Sequence, residues 1–486
     1  MSDPEVKVFT NLVDGGWRKS ATGKLYDDRN PANSDDVIGR FQDSDEADAQ
    51  SAIAAAATAF DTWKDTPISR RAAILTEAGK LLRDRATSVA REITREEGKP
   101  LAQAQAEVLR AARTLQFYAV EGQTYTGETF SQDDPDTLVY THREPLGVVT
   151  VISPWNFPIS IPARKIAPAL ITGNTVVFKP STDTPMAGYR LVEAIVDAGV
   201  PAGALNFVTG RASRVGPTLT QAPEVRAVTF TGSTKAGEQI HRGASMTTRL
   251  QMELGGKNPL LVMADADIDV AVTLTIKGGL SLTGQACTGT GRVLVHRQVV
   301  ERYTKSLLDH IAQLVIGNGL DSPCDLGPLA TENQLASVLN YVSVGKSEAR
   351  HLIGGDRLRG PIYDKGYFVS PAVFADAKPT MRIAKEEIFG PLIVIVPVDS
   401  YDQAIRIAND SEYGLSASIV TRDMRLAHRF TNEVQAGSVK VNRTTTGNLI
   451  NAPFGGLKRS STATFRESGR VGLEFFTQTK TVYRGI

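Results

Sequence analysis

Residues 146–158 read Leu-Gly-Val-Val-Thr-Val-Ile-Ser-Pro-Trp-Asn-Phe-Pro, a continuous apolar segment that runs into a proline-bounded turn. The apolar part predicts a buried strand over 146–152, and the turn follows at its carboxyl end. Alternating elements are predicted beyond it: helices near 159–172 and 184–198, and strands near 175–178, 205–208 and 227–230. Apolar strands separated by helices of this length favour an α/β fold with a doubly wound parallel sheet.

Flanking segments extend this pattern in both directions. Before it, helices are predicted over 44–63, 68–98 and 101–121, with Ser44 as the first cap and Gly98-Lys99-Pro100 as a stop. These helices carry no recognisable chemistry. A polar, β-leaning segment covers 123–144. After residue 258 a second alternating set begins, with strands predicted near 259–263, 392–397 and 417–421.

The composition excludes several classes of protein. A chain of 486 residues is too long for one core and predicts two or three domains. With 54 basic and 53 acidic side chains, it has no bulk charge to attract nucleic acid or an anionic membrane. Residues 1–7 lack a signal pattern, and no apolar run approaches the roughly 18 residues that span a bilayer. Two cysteines suit a reducing cytoplasm, and the six histidines lack paired metal-ligand spacing, so no metal is expected.

Three side chains are candidates for catalysis. Cys287 lies among small residues in Gly284-Gln285-Ala286-Cys287-Thr288-Gly289, although a lone cysteine is most often a small buried hydrophobe. Asn156 follows the first parallel strand, where its amide can donate to a developing oxyanion or simply belong to a rigid turn. Glu253 precedes Cys287 by 287 − 253 = 34 residues and is either a base for a thiol or water, or a solvated surface carboxylate.

Other strand ends suggest a nucleotide site. Lys179 ends a strand and can contact a ribose or phosphate, with a solvated strand end as the alternative. Gly232-Ser233 opens a helix whose N–H groups and dipole suit a pyrophosphate. The spacing does not match GxGxxG, so each signal is weak alone. Several such turns on one sheet favour a nucleotide-binding site.

Six motifs in order give a more specific signal. The chain as a whole resembles the aldehyde dehydrogenase superfamily through PWNFP (154–158), Lys179, FTGS (230–233), ELGGKN (253–258), GQACTG (284–289), and EEIFGP (386–391) with PFGG (453–456). The resemblance implies the aldehyde dehydrogenase fold in three parts. They are a Rossmann-like cofactor domain (1–122 and 146–255), an α/β catalytic domain (256–450), and a small β oligomerisation element (123–145 and 470–486). A homodimer or homotetramer is implied by the same resemblance.

The resemblance also implies roles for the candidate residues. Cys287 is similar to the family's nucleophile, which attacks the aldehyde to give a thiohemiacetal and then a thioester. The Asn156 amide and the Cys287 backbone N–H would form the oxyanion hole, and Glu253 would activate the water that hydrolyses the thioester. The hydride acceptor is NADP and/or NAD. Residues implied to contact it are Trp155, Lys179, Ser181, Thr182, Gly232, Ser233, Glu387 and Phe389.

One departure from the family pattern bears on the cofactor. NAD-preferring members carry a glutamate three residues after the strand-end lysine, and here that position is Thr182. A threonine does not repel a 2′-phosphate, which Lys179, Ser181 and Arg211 could bind. We therefore expect NADP to be accepted, with NAD also used.

A second departure bears on the substrate. Arg164 stands eight residues after Asn156, as in members that act on semialdehydes with a carboxylate tail, and its planar fork suits a carboxylate. Succinate semialdehyde dehydrogenases carry a second arginine where this chain has Ser281. The segments 458–467 and 476–483 resemble α-ketoglutarate semialdehyde (2,5-dioxovalerate) dehydrogenases. A structural ion pair is the alternative role for Arg164, and succinate semialdehyde or an uncharged aliphatic or aromatic aldehyde are the alternative substrates.

Other activities stay open at this point. A cysteine esterase or hydrolase would use Cys287 and Glu253 without a cofactor. A CoA-acylating dehydrogenase would pass the thioester to coenzyme A, although Glu253 favours water. A catalytically silent homologue is disfavoured by the intact Cys287, Glu253 and Asn156.

Overall fold

The structure is a computed structural model that describes residues 6–462 and 465–485. The first five residues of the segment tested for a signal pattern, and Ala463-Thr464 of the 458–467 segment, lie outside the described residues. Two hairpins begin the chain: β1 (Asn11–Val13) with β2 (Gly16–Arg18), and β3 (Leu25–Asn30) with β4 (Asn33–Gln42). The first turns through Asp14 and Gly15, both at positive φ, as a tight hairpin requires.

Four helices follow, one more than the sequence predicts. They are α1 (Glu46–Trp63), α2 (Ile68–Asp84), α3 (Ala86–Glu97) and α4 (Leu101–Glu121). The single helix expected over 68–98 is broken at Arg85, and Gly98 ends α3 at φ 93°. The expected cap Ser44 is also wrong. Asp45 accepts the first N–H groups of α1, because the Ser44 hydroxyl is buried and accepts from the Asn11 amide instead.

The first large sheet is built from the strands predicted around residue 146. A short β5 (Thr129–Phe130) and β6 (Thr137–Pro145) precede it. Its parallel strands and their helices are β7 (Val148–Ile152), α5 (Ser160–Ile171), β8 (Thr175–Lys179), α6 (Pro185–Asp197), β9 (Leu205–Phe207), α7 (Ala212–Gln221), β10 (Val225–Thr231), α8 (Thr234–Gly243) and β11 (Arg249–Glu253). The strand order is β11-β10-β7-β8-β9-β1-β2, with only β1 and β2 antiparallel. Helices cover both faces, which confirms the doubly wound sheet.

The second sheet contains seven strands in the order β14-β15-β16-β13-β12-β18-β19. The elements of this region are, in chain order, β12 (Asn258–Val262), α9 (Ile268–Gly279), β13 (Thr290–His296), α10 (Val300–Ile311), α11 (Glu332–Glu348), β14 (Arg350–Ile353), β15 (Ala372–Ala375), α12 (Arg382–Lys385), β16 (Leu392–Val398), α13 (Tyr401–Asn409), β17 (Tyr413–Gly414), β18 (Ser416–Val420), α14 (Met424–Glu433) and β19 (Ser438–Val441). The short strand β17 lies outside the sheet. Only β14 runs antiparallel to its neighbour.

The carboxyl-terminal segment returns to the rest of the molecule. β20 (Leu457–Lys458) pairs with β17, and a 3₁₀ turn (Arg470–Phe476) leads into β21 (Thr477–Gly485). β21 pairs with β6, which also pairs with β5, to make a separate three-stranded sheet. The division into domains at 1–122 with 146–255, 256–450, and 123–145 with 470–486 stays a prediction. Within the described residues, no helix has both the length and the apolar character needed to cross a membrane.

Candidate active site

The carboxyl ends of β7 and β10 meet the Cys287 loop at a cavity of about 270 Å³. Strands that run parallel bring their ends to one edge, so residues far apart in sequence converge there. The cavity is lined by seven predicted site residues: Trp155, Asn156, Gly232, Ser233, Cys287, Glu387 and Phe389. The other predicted residues, Glu253, Lys179, Ser181, Thr182 and Arg164, do not line it.

The Cys287 thiol is shielded and lies near negative charge. Burial first, and then the Glu387 carboxylate, raise the pKa of Cys287 to about 12, and Arg164 opposes this. The Cys287 carbonyl accepts from the Asn258 amide at 2.8 Å, and a side chain at Gly256 would come within 2.7 Å of that carbonyl. Glycine at 256 therefore lets the cysteine loop pack directly on the start of β12.

Asn156 is buried and its amide is fixed, donating to the Gln285 carbonyl at 2.9 Å. Its backbone carbonyl accepts from the Lys99 ammonium at 2.6 Å, and Lys99 also pairs with Glu107 at 2.6 Å. Glu107 accepts in turn from the first N–H groups of α5, those of residues 159 and 160. The amino-terminal segment, expected to carry no recognisable chemistry, thus has a positioning role at the site, because Lys99 and Glu107 hold the Asn156 turn. From the sequence, Lys99 was interpreted only as part of a helix stop. Its position between Gly98 and Pro100 was the one local sign that it could have a special role.

Glu253 is buried rather than a solvated surface residue. Its Oε1 accepts from the Ser461 hydroxyl at 3.2 Å, while Oε2 is buried with no hydrogen-bond partner among the described residues. Burial raises the pKa of Glu253 well above its ordinary value, and the Glu467 carboxylate adds to this, whereas Lys165 opposes it. A raised pKa makes the Glu253 carboxylate a stronger proton acceptor than a surface glutamate, which suits a general base.

Arg164 lies in a buried charge cluster that sequence reasoning missed. Its Nε approaches a Glu467 carboxylate oxygen at 3.4 Å, and its guanidinium stacks on the Phe454 ring at 5.0 Å. Lys165, fully buried, also bonds to Glu467 and donates to Thr229 at 2.9 Å. The ion pair expected as the alternative role of Arg164 is thus present. Its Nη1 is nevertheless buried without a hydrogen-bond partner among the described residues.

Aromatic and acidic groups form one wall of the cavity. The Trp155 and Phe389 rings meet edge to face, 5.3 Å between centroids. Glu387 accepts from the Gly256 N–H at 2.9 Å, and burial raises its pKa to about 7 while Lys257 opposes that rise. Gln334 of α11, which sequence reasoning missed, lines the same wall and donates to the Phe389 carbonyl at 2.7 Å.

The strand ends proposed for a nucleotide lie at one edge of the first sheet. Ser233 caps α8, its hydroxyl accepting from the Ala236 N–H at 3.3 Å. Lys179 is buried and donates to the Pro180 carbonyl at 2.7 Å, and burial lowers its pKa to about 8. Ser181 donates to the Asp183 carboxylate at 3.3 Å, so a negative group that the sequence reasoning did not consider stands beside Thr182.

Two further observations describe the surroundings. Arg211, considered above for a 2′-phosphate, lies exposed before α7, 3.9 Å from the Asp43 carboxylate. A larger open groove of about 950 Å³ lies away from Cys287, between α8 and the segment around Arg459. In the part of the chain that the structure describes, no group of three or more His, Cys, Asp or Glu side chains is placed to bind a metal ion.

The family model that matches this chain is that of the aldehyde dehydrogenase family, over residues 17–482. The chain belongs to the aldehyde dehydrogenase family. It is 43% identical over 485 residues to an α-ketoglutarate semialdehyde dehydrogenase of Haloferax volcanii, covering 99% of each chain. It is 42% identical over 481 residues to an α-ketoglutaric semialdehyde dehydrogenase of Bacillus subtilis, covering 99% of this chain and 98% of the relative.

Solved structures agree with this assignment. An NADP-dependent enzyme of E. coli is 34% identical, with a TM-score of 0.94 over 100% of both chains. A betaine aldehyde dehydrogenase of Staphylococcus aureus in complex with NAD+ is 32% identical, with a TM-score of 0.95 over 98% of this chain and 94% of that one. The predicted family, aldehyde dehydrogenase fold, oxidoreductase class and NAD(P) cofactor are confirmed.

Proposed function

We propose that this aldehyde dehydrogenase oxidises a semialdehyde that carries a distal carboxylate, with α-ketoglutarate semialdehyde as the first candidate. The observation that carries the proposal is Arg164, whose buried Nη1 lacks a hydrogen-bond partner among the described residues and whose charge acts on the Cys287 thiol. Relatives at 43% and 42% identity that bear this substrate in their names support it.

Cys287 is the proposed nucleophile. Its sulfur adds to the aldehyde carbon while the thiol proton leaves, and the carbonyl oxygen becomes the oxyanion of a thiohemiacetal. The Asn156 amide, already fixed by Gln285, and the Cys287 backbone N–H would donate to that oxygen. Lys99 supports this role because it holds the Asn156 carbonyl and thereby the turn.

The nicotinamide ring of NAD(P), when bound, supplies the acceptor for the hydride lost from the same carbon. Cys287 then carries a thioester, and Glu253 is the proposed base that takes a proton from water as the water attacks. The carbon–sulfur bond breaks, the thiol is restored, and the carboxylate product leaves. The sum is aldehyde plus water and oxidised cofactor giving carboxylate, reduced cofactor and protons.

The residues present fit such a cofactor. The cavity wall of Trp155 and Phe389 is apolar and aromatic, and Glu387 is an acceptor suited to the hydroxyls of the nicotinamide ribose. Gly232 and Ser233 lead into α8, whose first N–H groups suit a pyrophosphate. Lys179, Ser181 and Thr182 are the proposed contacts of the adenosine ribose and of a 2′-phosphate. The Asp183 carboxylate beside them disfavours a 2′-phosphate, so use of both NADP and NAD is the expected outcome.

An aldehyde panel tests the substrate. Purified protein is assayed for reduced-cofactor absorbance with α-ketoglutarate semialdehyde, succinate semialdehyde, benzaldehyde and a long aliphatic aldehyde, each with NAD and NADP. We expect the highest kcat/KM for the carboxylated aldehydes and a loss of that preference in Arg164→Met. Preference for the uncharged aldehydes would leave the enzyme class intact and assign Arg164 to the Glu467 ion pair alone.

Two variants test the chemistry. Glu253→Gln should release one reduced cofactor per site in a burst and then stall, since the thioester forms but water is not activated. Rescue of its turnover by coenzyme A would instead support a CoA-acylating enzyme. Cys287→Ser should lose aldehyde oxidation, and ester hydrolysis by the wild type without cofactor would support the cysteine hydrolase.

We also propose a homodimer or homotetramer in the cytoplasm. Within the described chain β21 pairs only with β6, and β19 pairs only with β18, which leaves both with an unpaired edge. Unpaired edges invite pairing with another chain, so β21 of one subunit extending the sheet of its neighbour is the expected contact. Light scattering after size-exclusion chromatography measures the subunit number, and cell fractionation measures the location.

A further inference from the structure

A second arginine lies beside Arg164 and takes part in none of the steps above. Arg110 projects from α4 into a narrow cleft that Arg164 also lines. The cleft is completed by Thr114, Tyr118, Ser160, Ile450 and Ser468. Two guanidinium groups in one cleft repel each other, and an anion or a strong acceptor beside them lowers the cost of that repulsion.

The groups bonded to Arg110 do not neutralise it. Its Nη2 donates to the Asn448 backbone carbonyl at 2.7 Å and to the Asn448 side-chain oxygen at 2.8 Å, both of them uncharged. No Asp or Glu among the described residues forms an ion pair with it, whereas Arg164 has Glu467. Burial first, and then Arg164, lower the pKa of Arg110 to about 10, so it is still charged at neutral pH.

Unused hydrogen-bond donors surround the same cleft. The Arg164 Nη1, the Asn448 Nδ2 and the Ser468 hydroxyl are buried without hydrogen-bond partners among the described residues. Buried donors of this kind are rare in folded proteins and call for an explanation. An anionic ligand with several oxygens would satisfy them together.

The loop that carries Asn448 connects this cleft to the reacting cysteine. Lys440 of β19 donates to three consecutive carbonyls, those of residues 445, 446 and 447, at 2.6–2.8 Å. Cys287 is close enough to Lys440 to act on its pKa. Residues 445–447 are therefore held near the Cys287 thiol, and Asn448, which follows them, is bonded to Arg110.

We propose that Arg110 and Arg164 together hold the distal carboxylate of the substrate, with the Asn448 amide donating to a carbonyl oxygen next to that carboxylate. The inference rests on the proposed function and deepens it. Succinate semialdehyde dehydrogenases carry their second arginine where this chain has Ser281, and Arg110 supplies that charge from α4. A 2-oxo carboxylate fits the donor set better than a simple carboxylate, because it offers three oxygens to two guanidiniums and an amide.

The test compares Arg110→Met, Arg110→Lys and a matched control, Arg113→Met. Arg113 lies on the same helix and is exposed, so its loss removes the same charge from the surface. Each protein is assayed with α-ketoglutarate semialdehyde and with pentanal, which has the same number of carbons but no charge. We expect the kcat/KM ratio of semialdehyde to pentanal to fall about 30-fold in Arg110→Met, mainly through KM. Arg110→Lys should recover part of the ratio, and Arg113→Met should keep it.

A binding measurement separates recognition from folding. Inhibition of pentanal oxidation by 2-oxoglutarate should weaken in Arg110→Met by a similar factor, and inhibition by glutarate should be weaker than by 2-oxoglutarate in the wild type. Equal losses on both aldehydes would mean that Arg110 only anchors the Asn448 loop, and would overturn the inference. An unchanged ratio in Arg110→Met, with a wild type that prefers the semialdehyde, would overturn it and leave the proposed substrate standing. A wild type that does not prefer the semialdehyde to pentanal would overturn both this inference and the proposed substrate.

Discussion

Cys287 is expected to react slowly with alkylating agents when no cofactor is bound. Burial and the Glu387 carboxylate raise the pKa of its thiol from 9.0 to about 12. Three pKa units correspond to about 4 kcal/mol in the free energy of ionisation. That figure is an upper limit, because Cys287 is partly exposed and water screens part of the effect. Near pH 8 the thiolate fraction should therefore lie about 100- to 1000-fold below that of an unperturbed thiol.

The assay is iodoacetamide labelling followed over a range of pH, with peptide mass spectrometry to separate Cys287 from the second free cysteine of the chain, Cys324. The Cys287 rate should rise about tenfold per pH unit and still be rising above pH 10. Arg164→Met should slow labelling further, since the guanidinium favours the thiolate, and Glu387→Gln should accelerate it. A Cys287 rate that reaches its plateau at or below pH 9 would refute the reasoning, because burial would then not dominate the ionisation.

Three further predictions concern buried charges. Lys165→Met should destabilise the protein by about 3–5 kcal/mol in chemical unfolding, because it leaves the buried Glu467 carboxylate with Arg164, at 3.4 Å, as its remaining cationic partner. Adding Glu467→Gln should recover much of that loss. Glu253→Gln should raise the midpoint of chemical unfolding at neutral pH. The pKa of Glu253 is higher in the folded than in the unfolded protein, so ionisation of this carboxyl costs stability at higher pH, and glutamine avoids that cost. The stability gained by the variant should vanish as the pH falls below the pKa of the unfolded state. Cofactor affinity, measured by fluorescence, should improve as the pH rises through about 7, where Glu387 ionises. Lys257→Met should move that transition to higher pH, because Lys257 lowers the pKa of Glu387. A pH-independent affinity in the wild type would contradict the role of Glu387.

The strand pattern of the chain was the part of the fold most open to prediction. Continuous apolar strands, such as the one that precedes Trp155, cannot face water on either side, so their burial in a parallel sheet follows from composition. The turns at their carboxyl ends then had to meet at one edge. The break at Arg85 was not predictable, because neither glycine nor proline marks it in the sequence, and α2 and α3 both pack on α4 and α6.

The charged partners of the site could not be predicted in the same way. Glu253 and Glu467 are ordinary glutamates in the sequence, and nothing local distinguishes a buried carboxyl from a solvated one. Lys165 lies 302 residues from Glu467, and Arg110 lies 338 residues from Asn448. Pairings over such separations are fixed by the tertiary fold, which short-range patterns do not encode.

The contacts of Glu467 and Ser461 have a consequence for synthesis on the ribosome. Domains generally fold from the amino terminus while the chain is still being made. The first parallel sheet can form early, yet the buried Lys165 ammonium has no counter-ion until Glu467 arrives, and Glu253 has no hydroxyl to bond until Ser461 does. A chain that ends before Ser461 should therefore be catalytically silent and sensitive to protease.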